Sequence, residues 1–143
     1  MEASGLSELK AVLDLYLAQY NATDKLWTYF STVTLAVLGF SVGSDKVSKS
    51  FLEASIVVVG YVVFCFGNYR ALSLSQQQLV QFSTLARGVA EKYNVQMSAL
   101  QPFSVEAAAA FYWAVVVAVC GGVLFITYRR RVQPLAWIPM LAN

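Results

Sequence analysis

The chain has 143 residues, of which 58% are hydrophobic and 13% are charged, with a formal net charge of +2. An ordinary soluble domain is roughly half apolar and a quarter charged, so this composition favours an integral membrane protein. The nearly neutral charge leaves no basic surface for a polyanion, and we expect no nucleic-acid partner.

The residue inventory also argues against catalysis. The sequence contains no histidine, which excludes histidine metal ligands, histidine general bases and Ser-His-Asp triads. The two cysteines, Cys65 and Cys120, each lie in an apolar run, where a cysteine behaves as a small hydrophobe. No phosphate loop or pair of catalytic carboxylates occurs in the sequence. We therefore predict a protein that is not an enzyme, with no cofactor and no metal site.

The first predicted element is an amphipathic helix over residues 4–21. Its apolar residues, from Leu9 to Tyr20, recur at the spacing of one helical face, and its charged residues lie elsewhere. Such a helix is too polar to cross a bilayer, but it could lie on the membrane surface or pack on partner helices. Its mixture of acidic and basic residues favours packing on protein.

The second predicted element is a membrane span over residues 26–43. Thr23 and Asp24 are residues that commonly cap a helix, and the uncharged run that follows begins with aromatic residues typical of a membrane interface. Gly39 and Gly43 are four positions apart, which places both on one face at a spacing known from closely packed spanning helices.

A polar loop over residues 44–50 leads to a second predicted span, residues 51–70. Ser50 can cap this helix, and Glu53 in its first turn is favoured there by the helix dipole. Asn68 and Arg70 end the span. Ionisable residues within a membrane often mark an ion path, so Glu53, Asn68 and Arg70 are also candidates for a polar conduit.

A long amphipathic extension is predicted over residues 71–95, where no proline interrupts the helix that begins in the second span. Leu72, Leu79, Phe82 and Val89 belong to two series of residues that recur every seven positions. This pattern is typical of a coiled-coil seam between subunits. A helix that folds back against its own bundle would show the same pattern.

A third predicted span covers residues 104–128, and a basic juxtamembrane tail covers residues 129–143. Within this span small residues recur every four positions, at Ala110, Ala114, Ala118 and Gly122. Small side chains let two helices approach closely, which is a main source of helix association in lipid. The stripe therefore predicts a helix-packing face.

Together these elements predict an all-α integral membrane protein with three transmembrane helices, an amphipathic N-terminal helix and a long amphipathic extension after the second span. We expect one membrane domain over residues 1–143, with the bilayer, further copies of the chain or other membrane subunits as its partners. The predicted function is a structural or accessory subunit of a membrane assembly, and the alternative is an oligomeric channel or pore. The lysines of the 44–50 loop and the arginines at 129–131 favour a cytoplasmic C-terminus.

Overall fold

The computed structural model describes residues 2–95 and 100–132. Helices account for nearly all of these residues, and no strand occurs among them, which confirms the predicted all-α class. The elements in chain order are α1 Glu2–Gly43, α2 Asp45–Lys49, α3 Phe51–Lys92 and α4 Val105–Val132.

Helix α1 is continuous from Glu2 to Gly43, whereas the sequence predicts separate helices over residues 4–21 and 26–43. The side chain of Thr23 does not cap a helix start. Its hydroxyl donates to the carbonyl of Gln19, one turn earlier, at 3.0 Å. A threonine bonded in this way belongs to a helix interior, and no glycine or proline interrupts the chain nearby.

The predicted polar loop over residues 44–50 contains a short helix, α2. The hydroxyl of Ser44 accepts from the backbone N–H of Val47 at 3.5 Å, so a serine begins even this single turn. The hydroxyl of Ser50 accepts from the N–H of Glu53 at 3.4 Å, which confirms the predicted cap of the following helix. Two serine caps therefore make the reversal between α1 and α3 compact.

Helix α3 runs without a break from the predicted second span into the predicted extension. After α3 ends at Lys92, Asn94 has a φ of 54° in the left-handed region. The N–H groups of Asn94 and Val95 donate to the carbonyls of Glu91 and Ala90, at 3.1 and 3.0 Å. These two bonds define a Schellman ending, and asparagine tolerates the required backbone better than most residues do.

Helix α4 begins after Ser104, whose hydroxyl accepts from the N–H of Ala107 at 3.2 Å. The helix continues through the three arginines at 129–131 to Val132, four residues past the predicted end of the third span. Cations in the last turn interact favourably with the helix dipole, which accounts for the longer helix. The rest of the predicted tail, residues 133–143, lies outside the described residues.

Three helices are long and apolar enough to cross a bilayer: Gly5–Gly43, Phe51–Lys92 and Val105–Val132. This agrees in number and order with the three predicted spans. A bilayer crossing needs about 20 apolar residues, so the first two helices are roughly twice the necessary length.

Packing divides the chain into two compact units. Unit 1 comprises the chain up to Phe30 together with Gly67–Tyr112. Unit 2 comprises Ser31–Phe66 together with the chain from Trp113 onward.

In unit 1, the beginning of α1 and the end of α3 form an antiparallel pair. Leu9 packs with Val89 and Ala90 near one end of the pair. Further along, the side chain of Gln19 bonds to Ser75. From Leu9 onward, the buried residues of α1 in this unit recur every seven positions, at Leu9, Tyr16, Thr23 and Phe30. Leu17 and Tyr20, which the sequence places on the same face, are about half exposed because they lie beside this seam.

Tyr93 closes the outer end of this pair by lying over Gly5. A side chain at position 5 would overlap the phenol ring, so Tyr93 would have to shift to admit one. The Tyr93 hydroxyl donates to the carboxylate of Glu8 at 3.3 Å. Loss of solvation, and then the negative charge of Glu8, raise the pKa of the Tyr93 phenol above its usual value.

In unit 2, segments from all four helices share a small apolar core. Val47, Ala54 and Val123 are buried together, with Leu38 and Val57 among the partly buried residues packed around them. A buried hydrogen bond of 2.8 Å joins the hydroxyls of Thr34 and Tyr61. Phe66 and Trp113 meet edge to face, with ring centroids 5.1 Å apart.

The buried seam of α3 makes a direct prediction. Leu72 is 2% exposed and Leu74 is 62% exposed, so two leucines within one turn of the same helix differ almost only in burial. We expect Leu72→Ala to lower stability by about 2–5 kcal/mol, because it opens a cavity in a packed core. Leu74→Ala should cost much less. Thermal unfolding of both variants in mild detergent, followed by circular dichroism, measures the difference, and equal losses would contradict the observed packing.

Candidate functional site

A cavity of about 670 Å³ lies within unit 1. Helix α1 supplies one wall with side chains spaced three or four residues apart: Tyr16, Tyr20, Thr23, Asp24 and Trp27. Residues at this spacing share one helical face, so α1 presents an aromatic wall that carries a single carboxylate.

The opposite side of the cavity comes from three other pieces of unit 1. Helix α3 contributes Gln76 and Leu79, and the segment before α4 contributes Gln101, Pro102 and Phe103. The first turns of α4 add Ala107, Ala108 and Phe111. Among the described residues that line the cavity, Asp24 is the one acidic side chain, and none is a lysine or arginine.

A buried polar layer crosses the α1–α3 seam beside the cavity. The hydroxyls of Thr23 and Ser75 are 2.8 Å apart. The amide nitrogen of Gln19 donates to both the hydroxyl and the carbonyl of Ser75, at 3.0 and 3.1 Å. Buried polar groups cost free energy when they lack partners, so only a register that brings these three side chains together is favourable.

Gln76, the next residue on α3, holds the segment that leads into α4. Its side chain is 4% exposed, and its amide nitrogen donates to the carbonyl of Phe103 at 2.7 Å. Ser104 then caps α4 directly after this contact. One glutamine therefore positions both the cavity wall around Phe103 and the start of the third long helix.

An aromatic cluster closes the inner end of the site. Phe30 stacks on Tyr112 with ring centroids 4.2 Å apart, and Trp27 lies 6.2 Å from the same tyrosine ring. Tyr69 approaches Tyr112 to 5.4 Å. The Tyr112 side chain is fully buried, and its hydroxyl accepts from the amide of Asn68 at 3.5 Å. These rings fix the spacing of α1, α3 and α4 within unit 1.

The structure places the predicted seam residues inside unit 1. Leu72, Leu79 and Val89 are buried, and Phe82 is half-buried. Val89 packs on Leu9 of the chain's own α1, so this part of the seam is occupied within the chain. The seven-residue period is therefore explained by an antiparallel pair of helices from one molecule.

The predicted helix-packing residues lie on outward faces. Ala110, Ala114 and Ala118 are exposed along α4, and Gly122 is half-buried. Gly39 and Gly43 are exposed on α1. A methyl group added at any of the three glycines would have no neighbour within 4 Å.

The three residues of the predicted conduit do not form one group within a unit. Glu53 is half-buried in the first turn of α3 and belongs to unit 2. Asn68 bonds to Tyr112 in unit 1, where Arg70 is exposed. In the part of the chain that the structure describes, no three acidic or cysteine side chains converge as a metal site requires.

The sequence does not predict the cavity. Thr23 and Asp24 resemble a helix start, and only their long-range neighbours reveal that they lie mid-helix, on a cavity wall. The run Gln76–Gln78 is a usable signal, because amide side chains that follow an apolar span need hydrogen-bond partners if they are buried. Among these glutamines, Gln76 is buried, whereas Gln77 and Gln78 are exposed.

Gln76 and its exposed neighbour Gln77 give a matched test. Gln76→Ala removes the bond to the Phe103 carbonyl, which we expect to destabilise the segment before α4 by about 1 kcal/mol. Amide hydrogen exchange over residues 100–107 should become faster. Gln77→Ala changes a neighbouring exposed amide and should leave that exchange rate unchanged. Identical exchange in both variants would show that Gln76 does not hold the segment.

No protein-family model, curated protein sequence or solved structure matches this chain. A function for the chain is therefore proposed from the cavity, the polar layer and the outward small-residue faces.

Proposed function

We propose that this chain is a multi-pass membrane protein that acts as a structural or accessory subunit of a membrane assembly. Support for the membrane comes from unit 2, where large apolar side chains are widely exposed. Leu35, Ile56, Val63 and Phe125 are each more than 60% exposed. Apolar surface in water costs roughly 25 cal/mol per Å², and a bilayer removes that cost.

The observation that supports assembly is the position of the small residues on α4. The inward face of this helix in unit 2 already consists of Val116, Val119, Val123 and Thr127, all of which are buried. Ala114 and Ala118 lie on the outward side and contribute nothing to the chain's own core. Lipid does not require small side chains, whereas a second helix that approaches closely does. We infer that this face packs against another copy or another membrane subunit.

A pore or channel is the alternative, and the bonding of the polar side chains favours assembly over it. A conduit needs polar groups that face a shared lumen. In unit 2 the Thr34 hydroxyl instead bonds to Tyr61, and the Thr127 hydroxyl donates to the carbonyl of Val123. In unit 1 the amide of Asn68 bonds to Tyr112. These groups are engaged within the chain.

We further propose a cytoplasmic C-terminus. The guanidinium of Arg130 donates to the carbonyl of Val42 at 3.3 Å, so the basic end of α4 lies beside the end of α1 in unit 2. Lys46, in α2, follows shortly after that end. The basic residues of the short loop and of α4 thus share one end, and short basic segments remain on the cytoplasmic side.

The small-residue face can be tested by adding bulk to it. We expect Ala114→Leu and Ala118→Leu to disrupt a close helix contact, at a typical cost of about 1–3 kcal/mol for overpacking. The oligomer distribution of the purified protein, measured by native mass spectrometry from lipid nanodiscs, should shift towards smaller species.

Val63→Leu is the control. Val63 is 67% exposed on α3, a different helix of the same unit, so added bulk there should leave the distribution unchanged. Unaltered oligomers in both alanine variants, or a monomeric wild-type protein without bound partners, would contradict the proposal.

A further inference from the structure

The cavity of unit 1 has an electrostatic character that assembly does not explain. Among the described residues, its lining contains the exposed carboxylate of Asp24 and no lysine or arginine. No described cation forms a salt bridge with this carboxylate. Arg87, also in unit 1, is held on its own helix, where it donates to the carbonyl and hydroxyl of Ser83 at 3.4 Å each. Asp24 is therefore the one carboxylate among the described lining residues that a cationic ligand could meet.

The walls of the cavity are rich in aromatic side chains. Tyr16, Tyr20 and Trp27 come from α1, Phe103 comes from the segment before α4, and Phe111 comes from α4. The Trp27 and Phe111 ring centroids are 6.0 Å apart. Aromatic faces attract cations within roughly 6 Å of the ring, and tryptophan does so most strongly.

We propose that this cavity binds an organic cation with apolar substituents, such as a quaternary ammonium. Asp24 balances the charge of the ligand, and the rings of Trp27, Tyr16 and Phe111 cover its apolar surface. The volume of about 670 Å³ falls within the 300–1,000 Å³ typical of small-molecule sites. This binding site is independent of the proposed assembly, because none of these residues lies on the small-residue face.

A quaternary ammonium could be a free solute or the choline headgroup of a lipid. A choline lipid also carries a phosphate, which proteins bind with arginine, lysine or backbone N–H groups. The described residues that line the cavity include no cationic side chain for a phosphate. The chemistry of the cavity therefore fits a free cation better than a choline lipid.

The experiment titrates phenyltrimethylammonium into the full chain in maltoside micelles by isothermal calorimetry. We expect phenyltrimethylammonium to bind the wild type saturably. Benzenesulfonate, an anion of similar size, should not bind. Asp24→Asn keeps the shape of the side chain and removes its charge, so affinity should fall roughly tenfold or more. Asp14→Asn removes an exposed carboxylate of the same helix outside the cavity, and affinity should stay at the wild-type value.

Trp27→Leu provides a second variant, which retains the charge but loses an aromatic face and should also weaken binding. Equal affinity of wild type and Asp24→Asn, or equal binding of benzenesulfonate, would overturn the proposal. Repeating the titration in nanodiscs distinguishes a free cation from the choline headgroup of a lipid. Binding that persists in phosphatidylcholine supports a free cation, whereas binding seen in phosphatidylglycerol and lost in phosphatidylcholine would overturn it in favour of the lipid headgroup.

Discussion

The antiparallel seam between α1 and α3 in unit 1 is the contact on which the other features of that unit depend. Two helices that each bury every seventh residue can pair in several registers, since apolar contacts have little directional preference. The bonds among Gln19, Thr23 and Ser75 remove this freedom. A shift along either helix would break the bonds that Ser75 makes with Gln19 and Thr23, and a buried polar group left without a partner costs about 1–3 kcal/mol.

The fixed register also determines where the cavity forms. Ser75 faces Thr23 across the seam, and the adjacent Gln76 lines the same cavity as Asp24 and Trp27 of α1. From there its amide reaches the carbonyl of Phe103 and holds the segment before α4. The cavity remains open because α4 approaches α1 through Tyr112 and Phe111, whose rings keep the two helices apart.

The sequence predicts those parts of the fold that depend on local chemistry. Runs of apolar residues identify the three long helices, and Ser50 and Ser104 identify where two of them begin. It fails at Thr23 and Asp24, because a threonine that caps a helix and one that bonds across a seam are the same residue type in similar contexts. The partner of Thr23 lies 52 positions away, and helical periodicity alone does not indicate it. The sequence does not predict the cavity for the same reason, since its walls come from segments that are far apart in the chain.

The two sides of α4 differ in the size of their residues. This difference indicates which side packs, because both sides are apolar and polarity does not separate them. A helix in water separates its faces by charge, but a helix in lipid can be apolar all round. On the outward side, α1 and α3 present large residues such as Leu35, Ile56 and Val63, which suit acyl chains. Helix α4 also has outward large residues, Val117 and Phe125, but alanines at 114 and 118 interrupt them. Such a depression in an otherwise bulky surface admits a second helix at close range. Larger apolar side chains at 114 and 118 would suit contact with lipid equally well, so lipid contact alone does not account for the alanines.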